Sequence, residues 1–155
     1  MMRGSKLLFI ASWVTLLTVT ALLALGSLGS VITAYTGQPD QLGSTLTLEK
    51  IKEYGGDEAV LAFQGRRATA ATWALGYAIL SFLVVLVPYR RGERWAWWAL
   101  LVSMVVSQLL SIARVVAIGT SLGAGTGGIL LAIFLLGLLA GIPRIFSRQD
   151  ELIEV

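Results

Sequence analysis

Four long runs without charge decide what this chain can fold into. Leu7 to Tyr35, Ala68 to Tyr89 and Trp95 to Ala113 are free of Asp, Glu, Lys and Arg, and so is Ile129 to Ile142. A bilayer core about 30 Å thick needs about 20 mostly apolar residues of helix to cross it. The runs therefore predict four membrane-spanning helices at about 7–35, 68–89, 95–117 and 127–145. The fold class that follows is all-α, a four-helix transmembrane bundle forming one membrane domain over 1–155. Charged residues make up 14% of the chain, against about a quarter in soluble domains, which agrees with that class.

Orientation follows from where the cations fall. Arg3 and Lys6 precede the first run, and Arg90, Arg91 and Arg94 separate the second from the third. Arg144 and Arg148 follow the fourth run. These seven of the twelve Lys and Arg residues lie in three short segments. The positive-inside rule puts those segments, and both termini, on the cytoplasmic side of the membrane. The net charge of +3 is thus a topology signal, and no nucleic-acid partner is expected. A basic start before an apolar run also resembles a secretory leader. The run exceeds the usual 7–15 residues and lacks an Ala-x-Ala site, so it is expected to stay as the first span.

Residues 36–67 form the one sizeable hydrophilic segment, an outer loop expected to be partly helical. Thr47 is placed to cap a short helix with Glu49 in its first turn. Leu48, Ile51 and Tyr54 give that helix one apolar edge, and Gly55-Gly56 ends it. Such a piece either lies on the membrane surface or covers the mouth of the bundle. Asp57 is placed to cap a second helix ending near Phe63. Pro88 is expected to end the second span, with 90–94 as a tight inner turn, and Pro143 marks the exit of the fourth. The polar tail covers 147–155.

The chain has neither Cys nor His. Disulfides, thiol redox chemistry, His-based metal sites and Cys-His or Ser-His nucleophile pairs are therefore outside its means. No span holds Asp, Glu or Lys, so a proton or sodium relay lacks its usual carboxylates. The Gly-rich stretch 119–128 lacks the Gly-Lys-Ser/Thr of a phosphate loop and reads as an outer connection. No cofactor and no catalytic residue is expected.

What remains is a polar stripe. Ser103, Ser107, Ser111 and Arg114 step by four, four and three along one face of the third span, with Gln108 beside them. Polar groups within a span mark a ligand or partner contact by default. Serines at this spacing equally make a small-residue packing face. Arg114 lies about 28 Å along the helix from Trp95, where it can also snorkel to headgroups. Arg66 and Arg67 are candidate contacts to lipid headgroups. Trp73, Tyr89, Trp95, Trp97 and Trp98 sit where interfacial aromatic anchors belong. Gly137 and Gly141 form a GxxxG element, suited to the third span or to a neighbouring protein.

The turn Pro-Tyr-Arg-Arg-Gly-Glu-Arg-Trp-Ala-Trp-Trp at 88–98 resembles one in small bacterial four-helix membrane proteins, loosely those of the DoxX group. The resemblance covers the second and third spans, about a third of the chain. It implies a four-helix bundle in a prokaryotic inner membrane and carries over no catalytic residue. The expected function is that of a non-catalytic accessory subunit packed against another membrane protein or against itself, in contact with membrane lipids. The alternatives are a hydrophobic-ligand binder with a pocket under the outer loop, lined by Ser103 to Arg114, and a small transporter or channel component.

Overall fold

A computed structural model describes residues 2–36, 47–119 and 124–147. They form four α-helices: α1 (Met2–Thr36), α2 (Leu48–Val84), α3 (Arg94–Ile118) and α4 (Ala124–Ser147). A π-helical turn at Val85–Tyr89 continues α2, and no strand occurs among the described residues. Each of the four helices is long and apolar enough to cross a membrane. The chain is all-α.

The breaks in the helices have local causes. Thr47 begins α2 as a cap: its Oγ1 accepts the Lys50 N–H at 3.3 Å, and its carbonyl accepts the Ile51 N–H at 3.1 Å. Gly56 has φ 68° and ψ −170°, a backbone that breaks the helix where the Gly-Gly pair predicts it. Beyond it the helix does not end near Phe63 but runs on into the apolar part of α2. Asp57 forms an ion pair with Lys52 at 2.9 Å, across the break.

Pro88 sits inside the π-helical turn rather than ending the helix before it. Proline has no N–H, so the Val84 carbonyl loses its usual α-helical donor and the coil widens. Gly92 closes the following turn at φ 79°. Its N–H donates to the Tyr89 carbonyl at 2.8 Å, and the Glu93 N–H donates to that of Pro88 at 3.1 Å. Gly119 ends α3 in the left-handed conformation, at φ 75°. Pro143 does not mark the end of α4, which continues to Ser147. Residues 120–123 and most of the tail, 148–155, lie outside the described residues.

The chain divides into two compact units, Met1–Thr20 with Ser81–Val155, and Ala21–Leu80. The first holds part of every helix. Its core is built from Phe9, Leu16, Val85, Tyr89, Met104, Phe134 and Leu138, all nearly inaccessible. Phe9, Ser12, Leu16 and Val19 step by three, four and three, so they share the buried face of α1. In this unit α3 and α4 pack along a shared seam. The second unit comprises the end of α1 and most of α2. Ala34, Ala71 and Ala78 are buried there, and Arg67 Nη2 donates to Thr33 Oγ1 at 3.2 Å.

Candidate functional site

The chemistry of the first unit gathers in two places. The inner one is a polar knot. Ser12 Oγ donates to the Gly137 carbonyl at 2.6 Å and lies 2.5 Å from the Tyr89 hydroxyl. A serine has a single hydroxyl proton, which the Gly137 bond uses, so Tyr89 is the donor to Ser12. Ser12 and Tyr89 are both fully buried. Close by, Trp13 Nε1 donates to the Val85 carbonyl at 3.1 Å, within the π-helical turn.

Gly137 and Gly141 make the knot possible. A Cβ on Gly141 would collide with the Tyr89 hydroxyl, and one on Gly137 would come within 3.0 Å of Leu16 Cδ2. The GxxxG element therefore receives α1 and Tyr89. That is a different seam from the third span or a neighbouring protein. The α3–α4 contact uses Gly127 instead, where a Cβ would meet Gln108 Oε1 at 2.7 Å.

The outer place is a ring of arginines stacked on aromatic faces at the basic end of the same unit. The Arg90 guanidinium carbon lies 5.0 Å from the Trp13 ring, Arg94 5.1 Å from Phe146, and Arg144 4.4 Å from Phe9. Each contact joins two segments and is worth about 0.5–1 kcal/mol when exposed. Arg94 also donates to the carbonyls of Ile145 at 3.4 Å and Phe146 at 2.8 Å, which satisfies the C-terminal end of α4. Phe9, Ile10, Trp13, Arg90 and Arg144 line a cleft of about 230 Å³. No ion pair is seen at Arg90 or Arg144 among the described residues. Glu93, the acid of the turn, accepts the Trp95 Nε1–H at 2.5 Å.

The residues singled out from the sequence fall as follows. Ser103 Oγ donates to the Leu100 carbonyl at 3.3 Å and Ser107 Oγ to that of Met104 at 3.0 Å, both within α3. Ser111 is half-buried. Gln108 reaches Met104 Sδ at 3.8 Å. The side chain of Arg114 lies outside the described residues. Arg66 is exposed, whereas Arg67 is half-buried and bonded to Thr33. Trp73, Trp95 and Trp98 are exposed. Tyr89 and Trp97, expected as interfacial anchors, are instead packed inside. Tyr89 stacks on Phe9 with ring centroids 5.7 Å apart. Trp97 donates to the Leu138 carbonyl at 3.0 Å and meets Phe146 edge to face. Each has a polar tip that finds a partner in the bundle, and burial is then cheap.

Ser12 and Trp13 are the residues that sequence reasoning missed. The signal was present: Ser12 breaks an apolar run at the spacing of Phe9 and Leu16. No family model, no curated protein and no solved structure matches this chain.

Proposed function

We propose that the protein is a non-catalytic accessory subunit, embedded in a prokaryotic inner membrane with both termini on the cytoplasmic side, that packs against another membrane protein. The observation that carries this reading is the contrast among its helical glycines. Gly137 and Gly141 are filled against by the chain's own side chains. Apart from its chain neighbours and its own helix's backbone, no described atom comes within 4 Å of a Cβ built on Gly26, Gly29 or Gly76. Glycine within a helix costs about 0.5–1 kcal/mol relative to alanine. At these positions nothing among the described residues accounts for that cost. A small residue on a membrane helix lets a neighbouring backbone approach closely, and a partner helix supplies such a neighbour.

The polar side chains support the same reading. In the first unit Ser12, Tyr89, Trp13 and Trp97 spend their hydrogen bonds on other segments of the chain. Ser103 and Ser107 return theirs to their own helix. These bonds hold the bundle together and leave packing as its main business.

The test is native mass spectrometry of the full chain after gentle extraction from its own membrane. Stoichiometric co-purification with a larger membrane protein is expected, weakened by Gly26→Leu with Gly29→Leu. A chain that emerges alone under every extraction condition, with the variant unchanged, would overturn the proposal.

A further inference from the structure

The cleft at the basic end has the make-up of a lipid site. Its floor is Phe9, Ile10 and Trp13, and its walls carry Arg90 and Arg144. Both guanidiniums lie against an aromatic face, Arg90 on Trp13 and Arg144 on Phe9. An aromatic face takes up one side of a guanidinium and leaves its in-plane N–H fork free to bind an oxyanion. Arginine matches a phosphate in that way, with paired, charge-assisted hydrogen bonds.

We propose that this cleft holds the phosphate of an anionic glycerophospholipid between Arg90 and Arg144. The apolar floor argues for a lipid rather than a free anion. Ile10 is half exposed, at 51%, and Leu7 beside it is 67% exposed, so an acyl chain has a surface to follow. A second, more open hollow shares Arg90 with it and is lined further by Leu86, Val87 and Arg91. The charge argues for an anionic rather than a zwitterionic headgroup. The cleft presents two cations, and neither forms an ion pair among the described residues. No lining carboxylate is there to meet a choline or ethanolamine. Basic hollows between spans are a recognised way of holding anionic headgroups.

This site differs in position from the polar stripe of α3 and from the Arg66-Arg67 pair. It also gives Arg90 of the turn a role beyond orientation. Its occupant is independent of the accessory-subunit reading, because a lipid site serves a lone bundle and a bound subunit alike.

The experiment is lipid retention by the purified full chain. The protein is equilibrated in mixed micelles with equal amounts of phosphatidylglycerol and phosphatidylcholine of identical acyl chains. Bound lipid is then counted by native mass spectrometry. Two arginines near a headgroup, each worth about 1 kcal/mol, predict an enrichment of phosphatidylglycerol of roughly ten- to thirty-fold. Arg90→Gln with Arg144→Gln is expected to abolish the preference, and Arg66→Gln with Arg67→Gln to leave it. Equal retention of the two lipids by the unaltered chain overturns the proposal with no variant needed. So does an equal loss in both double variants, which would show general surface charge at work. Displacement of the lipid by millimolar inorganic phosphate would make the free anion the occupant and overturn it too. The tail acids Asp150, Glu151 and Glu154, which follow Arg144 closely in sequence, supply the last control. A preference that arises only after all three are neutralised would show the chain's own tail in the cleft, and the proposal would fall.

Discussion

Gly137 and Gly141 share a motif with no atom to spare around them, while Gly26 and Gly29 stand in open space. All four are helical glycines in apolar runs, the first pair four residues apart and the second three apart, with a serine after each glycine of the second pair. The first pair is explained inside the molecule, because Leu16, Ser12 and Tyr89 occupy the room where a side chain would be. The second pair has no such explanation. The difference teaches that small residues in a membrane chain report close approach without saying to what. The answer comes from whether the chain itself fills the gap.

The sharpest way to break the comparison is to put a side chain on each kind of glycine. Gly141→Leu drives carbon into the Tyr89 hydroxyl and Ser12, and overpacking of a filled core costs about 1–3 kcal/mol. The stability of the purified chain in detergent, followed by its thermal transition, is expected to fall by about 3 kcal/mol, the upper end of that range. Gly26→Leu, in the open, is expected to leave the transition of the lone chain nearly unmoved. Equal losses from the two substitutions would mean that the filled and open seams are not different in kind.

The next effect lies in the polar knot. Ser12→Ala removes the acceptor of a buried phenol and leaves the Tyr89 O–H unpaired. The Gly137 carbonyl is less exposed to the loss, since it belongs to a helix. Tyr89→Phe removes the phenol instead and lets Ser12 keep its bond to Gly137. The expected order is therefore about 1–2 kcal/mol for Ser12→Ala and about 0.6 kcal/mol for Tyr89→Phe, from the range seen for hydrogen bonds between membrane helices. Chemical unfolding in mixed micelles measures both. In the double variant Tyr89→Phe should recover part of the Ser12→Ala loss, because no unpaired donor remains. A strictly additive pair would show that the two hydroxyls are not coupled.

These residues also mark how far the sequence can be read. Helix type and number follow from uncharged length alone, since a backbone in hydrocarbon must satisfy itself locally. The local breaks were legible because Thr47, Gly56 and Gly92 each act on the backbone within a few residues of themselves. The two prolines were read too strictly. Pro88 widens the helix and Pro143 sits inside one, because a helix in a packed bundle can tolerate one missing N–H. The knot was not legible. Ser12 and Tyr89 lie 77 residues apart, and Ser12 and Gly137 lie 125 apart. A tyrosine at the end of a span looks the same in sequence whether it faces headgroups or a serine. The same ambiguity hid Trp97, whose neighbours Trp95 and Trp98 are exposed as a belt residue would be. The stripe of α3 was visible as a pattern, but pattern alone does not say where a hydroxyl sends its proton. Ser103 and Ser107 send theirs one turn back along the helix.

The smallest predicted effect separates the two glycine pairs most cleanly, because it has the opposite sign. Gly26→Ala and Gly29→Ala add a methyl where no described atom beyond the chain neighbours and the helix's own backbone stands within 4 Å. Neither glycine has a positive φ, so alanine meets no backbone strain there. Each substitution is expected to raise the stability of the lone chain by about 0.5 kcal/mol through helix preference alone. A partner helix seated on those glycines would be pushed away by the same methyl groups. The comparison then turns on two readings of one variant: the thermal transition of the isolated chain rises slightly, while recovery of the larger complex falls. A rise in both would show that no close helix neighbour occupies the site, and that these glycines are not a contact surface.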